Sequence, residues 1–137
     1  MARILSVDYG GKRTGLAWTD RLQISINPLP TIPSSEFEEY LVNFLTEHSD
    51  ISTVVFGLPT HSDGKLTHIG DRIIRLIEEF SKNYPSVNWE TIDESFTSRE
   101  ARRLMVHLGV KRKQREKKEN LDKMSAVLIL KSYLDTI

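Results

Sequence analysis

Three acidic side chains of this 137-residue chain fall where a fold could turn them into a reaction centre: Asp8, Glu94 and Asp122. Asp8 ends a short β-rich run, Arg3 to Asp8, that Gly10-Gly11 closes. Glu94 comes at the C-terminal end of a second such run, Val87 to Ile92, which delivers Asp93-Glu94. Asp122 lies in the first turn of a closing helix that Asn120 can cap. In open α/β sheets functional groups gather at the carboxyl ends of parallel strands, so Asp8 and Glu94 can share one rim. Three carboxylates in one pocket repel, and raise one another's pKa unless a cation compensates. Hard carboxylate oxygens suit Mg2+ or Mn2+. A pair of such ions ~3.5–4 Å apart can stabilise both the attacking water and the leaving oxygen of a phosphodiester.

Each acid also has a plainer explanation. Asp8 can hydrogen-bond the Gly10-Gly11 turn. Asp122 near a helix N-terminus is favoured by the macrodipole alone, and Glu94 can be an exposed loop acid. A fourth ligand stays open: Glu119 precedes Asp122 by three residues and can share its helix face. Asp93 adjoins Glu94, but neighbours on a strand point to opposite faces, which leaves Asp93 a structural contact.

The formal net charge of zero conceals an uneven distribution. Between Arg99 and Lys118 nine basic residues face only Glu100 and Glu116, a local net of +7 against −7 for the rest of the chain. A basic lobe on an acidic body points to a polyanionic partner, nucleic acid; a solvated basic loop is the alternative. Arg103, Lys111, Arg112 and Lys113 are its candidate backbone contacts. Lys12 and Arg13 leave the first turn close to Asp8 and can bind a phosphate, or stand as exposed turn residues.

The elements that must position these groups follow from pattern. Arg3 to Asp8 and Thr14 to Thr19 read as two strands joined by a hairpin-like turn. A third strand near Ile24 to Thr31 carries Pro28 and Pro30, which suits a sheet edge. Ser35 and Glu38 form a capping box for a helix with Phe37, Leu41, Phe44 and Leu45 on its apolar face. Thr53 to Gly57 is a continuous apolar run, as expected of a strand buried on both faces. After a polar loop through Asp63-Gly64, a helix places Ile69, Ile73, Leu76, Ile77 and Phe80 at helical spacing and ends before Pro85. Beyond the strand from Val87 to Ile92, Thr97 and Glu100 cap a helix with Ala101, Leu104, Met105 and Leu108 inward and Gly109 as its stop. The last helix contains Leu121, Met124, Val127, Leu128 and Leu130. The order β-β-β-α-β-α-β-α-α predicts an α/β fold: a mixed five-stranded sheet with helices on both faces, in the ribonuclease H-like arrangement.

Four blocks then resemble one family in order along almost the whole chain. D-Y-G-G-K-R-T-G-L-A (Asp8 to Ala17) is similar to the YqgF (RuvX) opening, D-x-G-x-x-R-x-G-x-A. V-F-G-L-P with Asp63-Gly64 resembles its central strand and loop. D-E-S-F-T-S-R-E-A (Asp93 to Ala101) is similar to D-E-R-x-T-T-x-x-A, and Leu121 to Leu134 resembles the closing helix. The resemblance implies Asp8, Glu94 and Asp122 as catalytic, metal-binding carboxylates. It implies a Holliday-junction-resolvase-like fold and a role in processing pre-16S rRNA during ribosome biogenesis, and it places strand one beside strand four. Two positions depart from the pattern. Ser95 replaces the family Arg, removing a fixed cation near the scissile phosphate, and Ser125 replaces an Ala.

Composition bounds the rest. The length suits a single domain spanning 1–137. At 39% hydrophobic and 28% charged the chain has the make-up of a soluble globular protein. Absence of cysteine excludes disulfides and thiolate metal sites and fits a reducing cytoplasm. Apolar runs of around five residues exclude a membrane helix, which needs about 20, and no signal-peptide core precedes Asp8. His48, His61, His68 and His107 lack paired ligand spacing and read as surface residues, Trp18 and Trp89 as core. The expected activity is hydrolysis of phosphodiesters in an RNA precursor or in branched DNA, by a monomer or homodimer with Mg2+ or Mn2+. Two other readings stay open. One is a non-catalytic nucleic-acid-binding module. The other is a sugar-kinase-like enzyme, whose phosphate loop also opens with D-x-G but which needs two related domains.

Overall fold

The computed structural model describes residues 2–59, 67–93 and 118–137, the last stretch with side chains from Lys123 onward. Strands β1 (Arg3–Tyr9) and β2 (Arg13–Thr19) pair antiparallel, with Tyr9 opposite Thr14. The turn between them depends on Gly10, where an added Cβ would lie 2.5 Å from the Arg13 carbonyl oxygen. Strand β3 (Ile26–Pro33) pairs with β2 and ends the sheet on that side, so Pro28 and Pro30 sit on an edge as their chemistry requires. Strand β4 (Ile51–Leu58) runs parallel to β1, and β5 (Asn88–Asp93) parallel to β4. The order β3-β2-β1-β4-β5 bears out the mixed five-stranded sheet.

Alternation along the strands divides the core in two. Leu5, Val7, Leu16, Val54 and Phe56 turn to one face, against Phe37, Leu41, Phe44 and Leu45 of helix α1 (Phe37–Glu47) and Ile73, Leu76 and Phe80 of helix α2 (His68–Asn83). Ile4, Ala17 and Val55 turn to the other, against Ala126, Ile129 and Leu130 of helix α3 (Lys118–Leu134). Each large apolar side chain buried in this way contributes roughly 1.5–3 kcal/mol.

Several local expectations change. The Ser35–Glu38 capping box does not form: a 3-10 turn spans Ser34–Glu36, Glu36 precedes α1, and no side chain caps that helix. Ser34 is committed elsewhere, donating to the Gly10 carbonyl at 2.6 Å and sharing a 2.8 Å hydrogen bond with Thr14. Tertiary contacts have thus overridden a local motif. Thr67 caps α2 instead, accepting from the Gly70 amide at 3.0 Å. Helix α3 begins at Lys118, so Asn120 falls inside it rather than at its start. His48 is half-buried against the Trp18 and Phe44 rings instead of lying on the surface, whereas His68 is exposed. Trp18 and Trp89 pack on the margin of the larger core and remain partly exposed. The loop through Asp63-Gly64, the helix expected after Thr97, and most of the basic segment lie outside the described residues. No helix among the described residues is long and apolar enough to cross a membrane.

Candidate active site

The surroundings of Asp8 follow from strand parity. Ile4 belongs to the α3 side of the sheet and Ser6 hydrogen-bonds α3, so Asp8, two residues further along β1, stands on that side too. Its partner across β1–β2 is Gly15. On the other flank the β1–β4 register, Val7 against Phe56, brings Gly57 alongside, and Gly57 in turn pairs with Ile92 of β5. The carboxylate therefore stands in a row of the sheet where neither lateral neighbour has a side chain. Sequence reasoning missed this pair of glycines. The signals were T-G-L-A and V-F-G-L-P, but only the pairing of β1 with both strands gives them a joint meaning.

Helix α3 crosses this face closely because the residues between are small. The Ser6 hydroxyl donates to the Ala126 carbonyl at 2.8 Å, with the Ala17 carbonyl at 3.3 Å. Asp122 lies in the helical turn immediately before Ala126. One turn of helix rises about 5.4 Å, and two strand residues advance about 6.6 Å. From the Ser6–Ala126 contact, Asp8 lies two residues on along the strand and Asp122 one helical turn back along the chain. The parity of β5 is also defined. Ile92 packs with the α3-side core and Trp89 with the other, so Asp93, which is exposed, points away from the Asp8 side. Glu94 lies outside the described residues, as do Ser95, Arg103, Lys111, Arg112 and Lys113.

Of the remaining predicted contacts, Lys12 is exposed in the β1–β2 turn and Arg13 opens β2 on the side of Gly15 and Ala17. Ser34 fastens this turn a second time, since its amide donates to the Lys12 carbonyl at 2.9 Å. The turn thereby has an anchorage independent of Asp8. On the opposite side of the same rim, the Arg72 guanidinium hydrogen-bonds the Tyr9 hydroxyl and pairs with Glu38 at 2.9 Å. The Tyr9 hydrogen bond and the nearby negative charge hold Arg72 above its ordinary pKa, against the opposing effect of burial. Among the described residues no group of three or more acidic, histidine or cysteine side chains forms a metal cage. Asp8 is a hard oxygen donor whose lateral neighbours in the sheet are both glycines, which fits a hard cation better than a soft one.

A mixed sheet in the order β3-β2-β1-β4-β5, with a carboxylate at the end of its central strand and helices on both faces, is a ribonuclease H-like fold. The Fowlpox virus resolvase, solved with its substrate Holliday junction DNA, superposes with a TM-score of 0.63 at 16% identity, over 98% of this chain and 97% of that one. A family model described as "RuvX: Holliday junction resolvase" matches residues 2–136, and the chain belongs to that family. By that membership it is a nuclease. A Bacteroides fragilis relative, "Putative pre-16S rRNA nuclease", is 37% identical over 99% of this chain and 98% of its own. A relative of the same name from Flavobacterium psychrophilum is 38% identical over 98% and 97%.

Proposed function

We propose that this nuclease uses Asp8, Glu94 and Asp122 as a catalytic carboxylate set for Mg2+ or Mn2+, and processes the precursor of 16S rRNA in the cytoplasm. One observation carries the reading. Asp8 ends the central strand between two glycines, two residues beyond the Ser6 hydroxyl that holds the turn of α3 following Asp122. The parity of β5 supports Glu94 rather than Asp93 as the third acid. A bound Mg2+ or Mn2+ supplies the positive field that the attacking water and leaving oxygen of a phosphodiester need. Asp8 would hold such an ion at the rim, where Gly15 and Gly57 add no side chain beside it, and Lys12 and Arg13 would meet a flanking phosphate. The names of the relatives support an RNA precursor as substrate. The family description and the Fowlpox virus neighbour favour branched DNA as the second reading.

Labelled ribosomal-precursor RNA and a four-way DNA junction, incubated in parallel with Mg2+ and with Mn2+, decide between them. Cleavage of the RNA alone is expected. Cleavage confined to the junction would move the assignment to a resolvase, and binding of both without cleavage to a non-catalytic module. Sedimentation of the free and substrate-bound protein distinguishes monomer from homodimer.

A further inference from the structure

Asp8 and Tyr9 are consecutive residues of β1 and so serve opposite faces of the sheet at the same rim. On the Tyr9 side lies a cleft of about 190 Å³ that the carboxylate reading does not use, lined by Tyr9, Gly11, His68, Ile69, Asp71, Arg72 and Arg75. His68, Arg72 and Arg75 follow one another at spacings of four and three residues, which puts them on one ridge of α2. Their states differ. Arg72 is held in place by the Tyr9 hydroxyl and Glu38. Arg75 is exposed and, among the described residues, pairs with no carboxylate, although Asp71 lies one turn before it. A fixed guanidinium beside an unpaired one, with an imidazole at the mouth, presents donors that suit the oxygens of a phosphodiester.

We infer that this cleft is a second contact point for the nucleic-acid backbone, taking a phosphate of the bound strand that has passed over the β1–β2 turn from the Asp8 side. The inference rests on the nuclease reading, because it supplies the strand that reaches the rim. The Lys12 side chain, exposed in the turn, lies on the route between the two faces. Asp71 opposes the cations and keeps the cleft from acting as a general anion trap. Its carboxylate weakens a free anion more than a phosphate already delivered by the rest of the strand.

The test measures binding of a fluorescein-labelled single-stranded RNA and a four-way DNA junction in Ca2+ across a salt series. Arg75→Ala is the clean variant, since Arg75 is exposed and makes no hydrogen bond or ion pair among the described residues. Lys82→Ala removes the same charge from the last turn of α2, away from the rim. Arg75→Ala is expected to weaken binding about three- to tenfold and to lower the salt slope by roughly 0.7–0.9, one phosphate contact. Lys82→Ala is expected to leave both unchanged. Equal behaviour of the two variants would overturn the subsite while leaving the nuclease reading intact. A wild-type protein that neither binds nor cleaves either nucleic acid would bring down the nuclease reading itself, and the subsite with it.

Discussion

The two faces of one sheet have been built to different rules. Toward α1 and α2 the strands present Leu5, Val7, Leu16, Val54 and Phe56, which interlock with Phe37, Leu41, Phe44 and Phe80. Aromatic edges meet there, with Phe37 and Phe56 ring centres 6.0 Å apart and Tyr9 on Phe37 at 5.5 Å. Toward α3 the same strands present Ile4 and Val55 at one end, and Ser6, Asp8, Gly15, Ala17 and Gly57, all small or polar, around the carboxylate. Bulk gives dispersion and transfer energy; small side chains give close helix approach and room beside a carboxylate. The larger core thus lies on one face and the proposed carboxylate site on the other, and substitutions should separate along that line.

The largest effect is expected at Asp8. Asp8→Asn should lower phosphodiester cleavage by about 10³-fold or more, equivalent to several kcal/mol of metal-dependent stabilisation. Its melting temperature should hold or rise as charge repulsion is relieved. Kinetics with Mn2+ and a thermal melt of the same preparation check both halves, and loss of folding would show that Asp8 mainly secures the turn. Phe56→Ala on the other face should do the reverse. It should cost about 3–5 kcal/mol of stability, read by urea denaturation, while the remaining folded fraction cleaves at the normal rate per molecule. A joint loss of specific activity would break the division between the faces.

Smaller effects sharpen it. Replacing Lys111, Arg112 and Lys113 together with Ala should weaken nucleic-acid affinity and flatten its salt slope by about two to three units. The chemical step in single turnover should change less. A slope that stays put would mean that these residues are only solvated. Ser34→Ala removes the hydroxyl that fastens the β1–β2 turn to Gly10 and Thr14. Its expected cost is about 1–3 kcal/mol, because the buried Thr14 hydroxyl loses its partner. The smallest effect is at the far end of the sheet, where Asp50 meets Arg3 at 3.1 Å and Arg21 at 2.9 Å, and Arg3 lies over the Trp18 ring. Burial raises the Asp50 carboxyl, but hydrogen bonds from Arg21 and its own amide, with the charges of Arg3 and Arg21, leave it below the ordinary value. A folded pKa below the unfolded one gives stability that is complete above pH ~4 and disappears as pH falls through the folded value. Asp50→Asn should thus cost under about 1 kcal/mol at pH 7, and its denaturation curve should merge with that of the wild type at strongly acid pH.

Much of this arrangement was readable in residue pattern. Pro28 and Pro30 announced an edge strand, the unbroken run of β4 a buried one, and Phe37, Leu41, Phe44 and Leu45 the inner face of α1. Those signals are local, and burial enforces them. What escaped was decided at a distance. Ser35 falls inside a 3-10 turn and caps nothing, whereas Ser34 beside it bonds the β1–β2 turn more than twenty residues earlier. Gly15 and Gly57 look like ordinary strand glycines until β1 is set between their strands. Arg72 and Arg75 read as the solvent side of an amphipathic helix, and only the packing of α2 beside Tyr9 and Gly11 brings them to the rim. For the candidate site, sequence proposed the acids, and the structure describes for Asp8 its face of the sheet, its glycine neighbours and the α3 contact two residues away.

The hydrogen bond from Ser6 to Ala126 joins residues 120 positions apart. At about 5–20 residues per second, a ribosome needs roughly 6–24 s to travel from one to the other. Once β5 has been made the sheet can pack against α1 and α2, while Ile4, Ala17 and Val55 still await their cover. A nascent chain of this kind carries its first carboxylate long before its last. By this order of synthesis the smaller core closes only as the final helix emerges.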